Sequence, residues 1–303
     1  MIAIPDQTGR TVVVTGASPG GLGQFVALEL ARHGARVVLA GRNPEKLTGT
    51  REAVLAQVPG ASTEELVVDL ASLDSVRSAA ERAKELGAID VLVNNAGVMA
   101  PPYQRTGDGF ELQMATNHLG PFLLTGMLLP QLVESGDGRV VAVSSQMHRV
   151  ARTAPLEDPR LQTTRYRRWP QYGATKLANL LFTFELERRL RERDLPVRAL
   201  AAHPGYAGTH LVANGQLGRS SGVLAGILGA ANRAVAQPAA HGAWPLLMAA
   251  TADLPGGTYC GPGGAGEARG APQVVGTSAV ARDEDAQRRL WQLSEEAVGL
   301  RWP

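Results

Sequence analysis

The chain alternates short runs, mostly uniform in apolarity, with longer amphipathic ones. The apolar, β-branched runs are RTVVVTG (10–16), ARVVLAG (35–41), EELVVDL (64–70), IDVLVNNAG (89–97), GRVVAVSS (138–145) and PVRALAAHPG (196–205). Apolarity without alternation suits strands buried on both faces, as in a parallel sheet. Between them lie helix-length segments at Leu22–His33, Pro44–Gln57, Ser72–Leu86, Asp108–Val133 and Tyr172–Arg193. Gly34 and Gly87 read as helix stops, and Pro44 and Ser72 suit helix starts. A repeated strand–helix–strand order with right-handed crossovers predicts an α/β fold: a doubly wound parallel sheet with helices on both faces. No repeat or linker divides residues 1–303, so a single domain is expected. Residues 207–237 loosen into Gly, Ser and Ala around GVLAGILGAANRAV and are expected to form a substrate lid after the sixth strand. That composition suits a packing helix or an oligomer contact equally well. GGTYCGPGGAGEARGAPQVV (256–275) reads as turn-rich, and 282–299 as a final amphipathic helix.

Composition narrows the class. The 303 residues are 44% hydrophobic with a net charge of +2, too small for a general nucleic-acid or anionic-membrane binder. The single cysteine, Cys260, rules out an internal disulfide framework. No run approaches about eighteen apolar residues, so no spanning helix is expected. The N-terminus reaches a strand-like run at Thr11 without a basic, apolar leader. A soluble, cytoplasmic protein is expected. His118, His148 and His203 lack metal-ligand spacing, so no metal site is expected.

Chemistry first appears where the first strand ends. Thr15-Gly16-Ala17-Ser18-Pro19-Gly20-Gly21-Leu22-Gly23 joins it to an apolar helix. Glycines in such a turn let the backbone approach a pyrophosphate, whose charge a helix N-terminus favours. The second strand ends in Ala40-Gly41-Arg42-Asn43, with no acid to hold a ribose 2′-hydroxyl. Arg42 suits a 2′-phosphate instead, so NADP(H) is preferred over NAD(H). Asp69 and Leu70 follow the third strand, where an adenine ring would lie; Asp69 would equally serve as a helix cap.

Tyr172 and Lys176 are four residues apart on a helix and share one face. A neighbouring cation favours the charged form of a phenol, so Lys176 is expected to pull the Tyr172 pKa down from about 10. Such a phenol could exchange a proton with an alcohol oxygen. The motifs in order are the glycine turn, Asn94-Asn95-Ala96-Gly97, Asn117-His118-Leu119-Gly120, Val143-Ser144-Ser145, Tyr172-x-x-x-Lys176 and His203-Pro204-Gly205-x-x-x-Thr209. With these, the chain resembles the short-chain dehydrogenase/reductase family from Gly9 to about Gly299. The nearest likeness is to its retinol-dehydrogenase-like and WW-domain-oxidoreductase-like branch.

The resemblance implies a Rossmann-type fold and an NADP(H)-dependent oxidoreductase that interconverts a hydrophobic alcohol with its aldehyde or ketone. Tyr172 would be the general acid/base. Lys176 would lower its pKa and hold the nicotinamide ribose. Ser145 would polarise the substrate oxygen, and Asn117 would anchor a water in a proton relay from Lys176. Gly16, Ser18, Gly21, Leu22 and Gly23 would cradle phosphate, while Asn95, Ala96 and Gly97 support the cofactor. Pro204, Gly205 and Thr209 would face the nicotinamide, with Thr209 at its carboxamide. Two departures stand out. The glycine turn carries one extra residue around Pro19-Gly20. Ser145 and Tyr172 are 27 positions apart, a long spacer that resembles the retinol-dehydrogenase-like branch.

That spacer carries Arg149, Arg152, Arg160, Arg165, Arg167 and Arg168. It suits either recognition of an acidic substrate or a solvated loop whose arginines pair with Glu157 and Asp158. Two rival functions are weighed: a non-catalytic dinucleotide-binding sensor or scaffold, and a C=C or imine reductase on the same fold. A sensor has no chemical need for Asn117, Ser145, Tyr172 and Lys176 together. Beyond a small-molecule substrate, a homo-oligomer is the partner considered.

Overall fold

The structure, a computed structural model, describes residues 3–153, 157–158, 160, 164–206 and 238–303. The proposed lid at 207–237 and Thr209 lie outside the described residues.

Six strands form where the apolar runs place them: β1 (Thr11–Thr15), β2 (Arg36–Gly41), β3 (Thr63–Val67), β4 (Val91–Asn94), β5 (Gly138–Val143) and β6 (Val197–Ala202). With β7 (Tyr259–Pro262) and β8 (Pro272–Val274), the described residues build one sheet in the order β3-β2-β1-β4-β5-β6-β7-β8. All neighbours are parallel except the β7–β8 edge pair. The order reverses between β1 and β4, which opens a crevice at the C-terminal ends of the strands. Strands β7 and β8 fall inside the turn-rich stretch 256–275, where the sequence pattern predicts no strand. Only Ala201↔Tyr259 and Ala202↔Cys260 pair β7 with β6, so the strand is set by its neighbour, not by an apolar pattern of its own.

Helices α1 (Leu22–Arg32), α2 (Pro44–Gln57) and α6 (Trp244–Thr251) cover one face. The other carries α3 (Leu73–Ala83), α4 (Gly120–Glu134), α5 (Arg168–Glu192) and α7 (Glu284–Val298). The layers explain why the central strand runs are mostly apolar without alternation. Val12 and Val14 enter the first core, Val13 enters the second, and all three are fully buried. Helix starts follow their caps. Asn43 Oδ1 accepts from the Lys46 N–H at 2.8 Å, Ser72 Oγ from Ser75, and Asp283 Oδ1 from Asp285 and Ala286. Gly299, at φ +64°, closes α7 in the left-handed region.

Two helices differ from the sequence reading. Instead of one helix over 108–133, there is a single turn at Leu112–Met114, a π turn at Ala115–Leu119, and then α4. The π turn contains Asn117, and such insertions recur at functional sites. Helix α5 starts at Arg168, so Tyr172 sits in its second turn rather than at its end.

Candidate active site

The side chains singled out in the sequence converge at the C-terminal ends of β4, β5 and β6. Tyr172 and Lys176 are 9% and 4% exposed, and the Lys176 ammonium lies 5.5 Å from the centre of the phenol ring. Their proximity is as the spacing requires, but its electrostatic consequence is not. Burial pushes the phenol up to about 12, opposed by hydrogen bonding with Ser145. Burial also pushes the lysine down to about 8. The expected fall in the Tyr172 pKa is therefore corrected: desolvation, which disfavours both charged forms, sets the direction for each.

Backbone groups fix the pair. Lys176 Nζ donates to the Val143 carbonyl at 3.0 Å, and Asn179 Nδ2 donates to the same oxygen at 2.9 Å. Ser144 Oγ returns a bond to the Lys176 carbonyl at 2.8 Å. Ser145, directly after β5, accepts from the Met147 N–H at 3.2 Å and starts the 3₁₀ turn Gln146–Val150. Asn117 is braced at both ends of its amide. Its Oδ1 accepts from Val98 N at 2.7 Å, and its Nδ2 donates to Val98 O at 2.9 Å and Thr175 Oγ1 at 3.0 Å. A Cβ at Gly97 would lie 3.1 Å from Asn117 Oδ1 and 3.6 Å from Lys176 Nζ. Glycine there lets these three elements meet.

The phosphate turn is equally compact. Gly16 has φ +71°, and a Cβ on it would stand 2.7 Å from the Ala96 Cα. At Gly23 a Cβ would meet the Gly16 carbonyl at 2.6 Å and Asn95 Nδ2 at 2.8 Å. Asn95 Nδ2 donates to Thr15 O at 2.7 Å, and Ala96 N–H donates to Thr15 Oγ1 at 3.0 Å, tying this turn to β4. Gly21 precedes helix α1 at its N-cap and gives it no side-chain cap, as suits an anion-accepting helix start. The extra residue bulges outward. Pro19 is exposed, and Gly20 (φ +72°) donates its N–H to Gln24 Oε1 at 2.6 Å. Ser18 is half-buried beside the bulge.

Arg42 is exposed after β2 and has no hydrogen bond or ion pair among the described residues. Asp69 is half-buried beyond β3 and caps the next turn through Ala71 N–H at 3.0 Å. Leu70 is 4% exposed and belongs to the core, as does Leu22, so their side chains serve packing. Gly205, at φ +67°, follows Pro204 in the turn after β6. A nicotinamide dinucleotide fits this donor set: a close-approach glycine turn, an uncapped helix start and a free guanidinium line one edge of the sheet.

Described residues of the spacer contact segment 101–113. Arg160 stacks over the Phe110 ring at 4.4 Å and donates to Asp108 O at 2.7 Å. Tyr166 donates its OH to Pro101 O at 2.7 Å. Glu157 pairs with Arg289 at 3.4 Å, and Asp158 accepts from Thr164 N–H at 2.9 Å. Arg152, Arg165, Arg167 and Arg168 are exposed. Trp169 is 47% exposed and meets the Tyr172 ring edge-to-face at 6.3 Å. Sequence reasoning missed Thr175, Asn179 and the buried Glu111, whose carboxylate accepts from Gln113 N, Met114 N and Gln171 Nε2. The i+3 spacing of Asn179 from Lys176 was a legible signal; Glu111 carried none.

Comparison with known proteins places this geometry. The short chain dehydrogenase family pattern matches residues 10–155. Human retinol dehydrogenase 13 is 38% identical over 308 residues, spanning 97% of this chain and 86% of that protein. A solved structure of a putative uncharacterized protein from Mycobacterium Paratuberculosis is 42% identical, with TM-score 0.80, covering 99% of this chain and 97% of that one. A putative short chain dehydrogenase from Escherichia coli CFT073, complexed with NADPH, is 26% identical with TM-score 0.63, covering 84% and 96%. Among the described residues, no helix is long and apolar enough to cross a membrane.

Proposed function

Because the chain belongs to the short-chain dehydrogenase family, in its retinol-dehydrogenase-like branch, we propose that it interconverts a hydrophobic alcohol and its aldehyde or ketone, with NADP(H) as cofactor and Tyr172 as general acid/base. Oxidoreduction of alcohol and carbonyl groups with a nicotinamide dinucleotide is the chemistry of the family. The preference for NADP(H) rests on the unpaired Arg42 and on the NADPH-bound relative. The observation that carries the reading is that Tyr172 meets both Ser145 and Lys176, while Lys176 and Asn117 meet at Gly97.

The cofactor, when bound, supplies or accepts the hydride. The turn from Gly16 to Gly23 would take its pyrophosphate, and Arg42 its 2′-phosphate. Ser145 and Tyr172 would share the substrate oxygen, the serine polarising it and the phenol giving or taking its proton. Lys176, held by Val143, would stabilise the phenolate once that proton has left. Trp169, edge-to-face with the Tyr172 ring, would offer an apolar wall beside the phenol, which favours hydrophobic substrates. A panel of apolar alcohols and carbonyl compounds, followed by NADPH absorbance, tests the class. Tyr172→Phe should lower kcat by at least about 100-fold with NADPH binding within twofold. Full turnover in that variant would refute the acid/base role.

A further inference from the structure

The sequence gives the segment after β7 no role beyond turns, yet it delivers one carboxylate to two loops of the site. Glu267 Oε2 lies 2.9 Å from His203 Nε2, and the same oxygen accepts from Gln146 Nε2. Its other oxygen is 3.7 Å from Arg149 Nη2. Gln146 and Arg149 belong to the 3₁₀ turn opened by Ser145, whereas His203 directly follows β6 beside Pro204 and Gly205.

The bonding fixes the imidazole. His203 Nδ1 accepts from the Gly205 N–H at 3.2 Å, so Nε2 carries the hydrogen and donates to Glu267. The ring is fully buried, 5.2 Å from the Tyr259 ring, and fills the space left by Gly261, where a Cβ would lie 2.1 Å from Nε2. Burial holds it neutral, with its pKa pushed down to about 4. A neutral donor facing a carboxylate makes a charge-assisted bond.

The backbone around Glu267 is shaped for this task. Glu267 sits at φ +54°, in the left-handed region that non-glycine residues seldom adopt, directly after Gly266 at φ +60°. Strain of this kind persists where surrounding contacts over-determine it. The next residue completes the clasp: Ala268 O accepts from the Tyr206 N–H at 2.8 Å.

We propose that Glu267 is a positioning residue that locks the turn bearing Ser145 to the turn bearing Pro204 and Gly205, holding the substrate side and the cofactor side of the site in register. It touches no reacting atom. It acts through Gln146 on one loop and through His203 on the other. The inference rests on the reading of Ser145 and the post-β6 turn as the two flanks of the site.

The test uses Glu267→Ala and Glu267→Gln in the full chain, with Tyr172→Phe assayed in parallel. NADPH affinity is read by its fluorescence on titration, and kcat and KM on the best substrate from the panel. Loss of the clasp should lower kcat roughly tenfold or more and weaken NADPH severalfold in Glu267→Ala. Glu267→Gln should recover most of both, because the amide oxygen still accepts from His203 Nε2. Combining Glu267→Ala with His203→Asn should add little to either single change. Glu267→Ala with kcat and NADPH affinity within twofold of the parent, while Tyr172→Phe is inactive, overturns the proposal and leaves the site assignment standing. Equal losses in the Ala and Gln variants, tracking a lowered Tm, would also overturn it, since that pattern marks simple structural support. An active Tyr172→Phe would instead remove the reading on which it rests.

Discussion

Replacing Lys176 by Met should make the protein more stable at neutral pH while abolishing its activity. The lysine is 4% exposed, and burial lowers it from 10.5 to about 8. At about 1.4 kcal/mol per tenfold change in proton affinity, keeping the ammonium charged in that site costs ~3 kcal/mol. The sign follows from proton counts. Between pH 8 and 10.5 the unfolded chain holds the lysine proton more firmly than the folded one does, so the parent gains stability as pH rises. Below pH 8 both forms are protonated and the penalty is fully present. Methionine fills a similar volume without it. The Val143 carbonyl is not orphaned by the change, because Asn179 Nδ2 still donates to it at 2.9 Å. Urea unfolding of parent and variant at pH 7.0, 8.5 and 10 gives the difference directly, with the other titrating groups cancelling. Lys176→Met should lead by about 1–3 kcal/mol at pH 7, with the lead shrinking by pH 10. A constant difference across that range, or a less stable variant at pH 7, would refute the reasoning.

Two further outcomes are expected. Arg42→Ala should weaken NADPH roughly 10- to 100-fold, the scale of one or two charge-assisted hydrogen bonds, and NADH by less than twofold in fluorescence titrations; equal effects would remove Arg42 from the phosphate site. Acid should destabilise the fold through three buried imidazoles, since burial pushes His118 down to about 3 and His148 and His203 to about 4. These depressed values give stability that is present above about pH 6.5 and lost progressively as pH falls towards 4. Unfolding should therefore take up about three protons from these groups near pH 5, measurable from the pH dependence of urea midpoints; uptake of none would contradict the burial.

The parts legible in the sequence were those that local pattern controls. Strands β1, β2, β4, β5 and β6 are largely apolar on both faces because helices cover both faces, whereas the edge strand β3 buries only Leu66; the caps at Asn43 and Ser72 mark their own helices. The π turn at Asn117 was not legible, because its side-chain braces reach Val98 and Thr175, distant in sequence. Strand β7 escaped for a similar reason: Tyr259 and Cys260 take their extended form by pairing with β6, amid glycines that carry no periodicity. The arginine-rich spacer also read differently. Arg160 is spent on Phe110 and Asp108, while Glu157 finds Arg289 rather than a neighbour in the loop.

By itself the sequence determined the α/β order, the place of the glycine turn and the identity of the paired phenol and ammonium. These depend on residue type and on helical or strand spacing, which are local. Tertiary structure decided what those groups experience. The one-turn separation of Tyr172 and Lys176 brings them together, but their pKa values are set by how deeply β4, β5 and α5 bury them, and burial reverses the direction that spacing alone suggests for the phenol. It also decided that Glu267, more than sixty residues beyond His203, would stand between the two loops of the site. Desolvation and long-range contact are properties of the packed whole, and no local pattern encodes them.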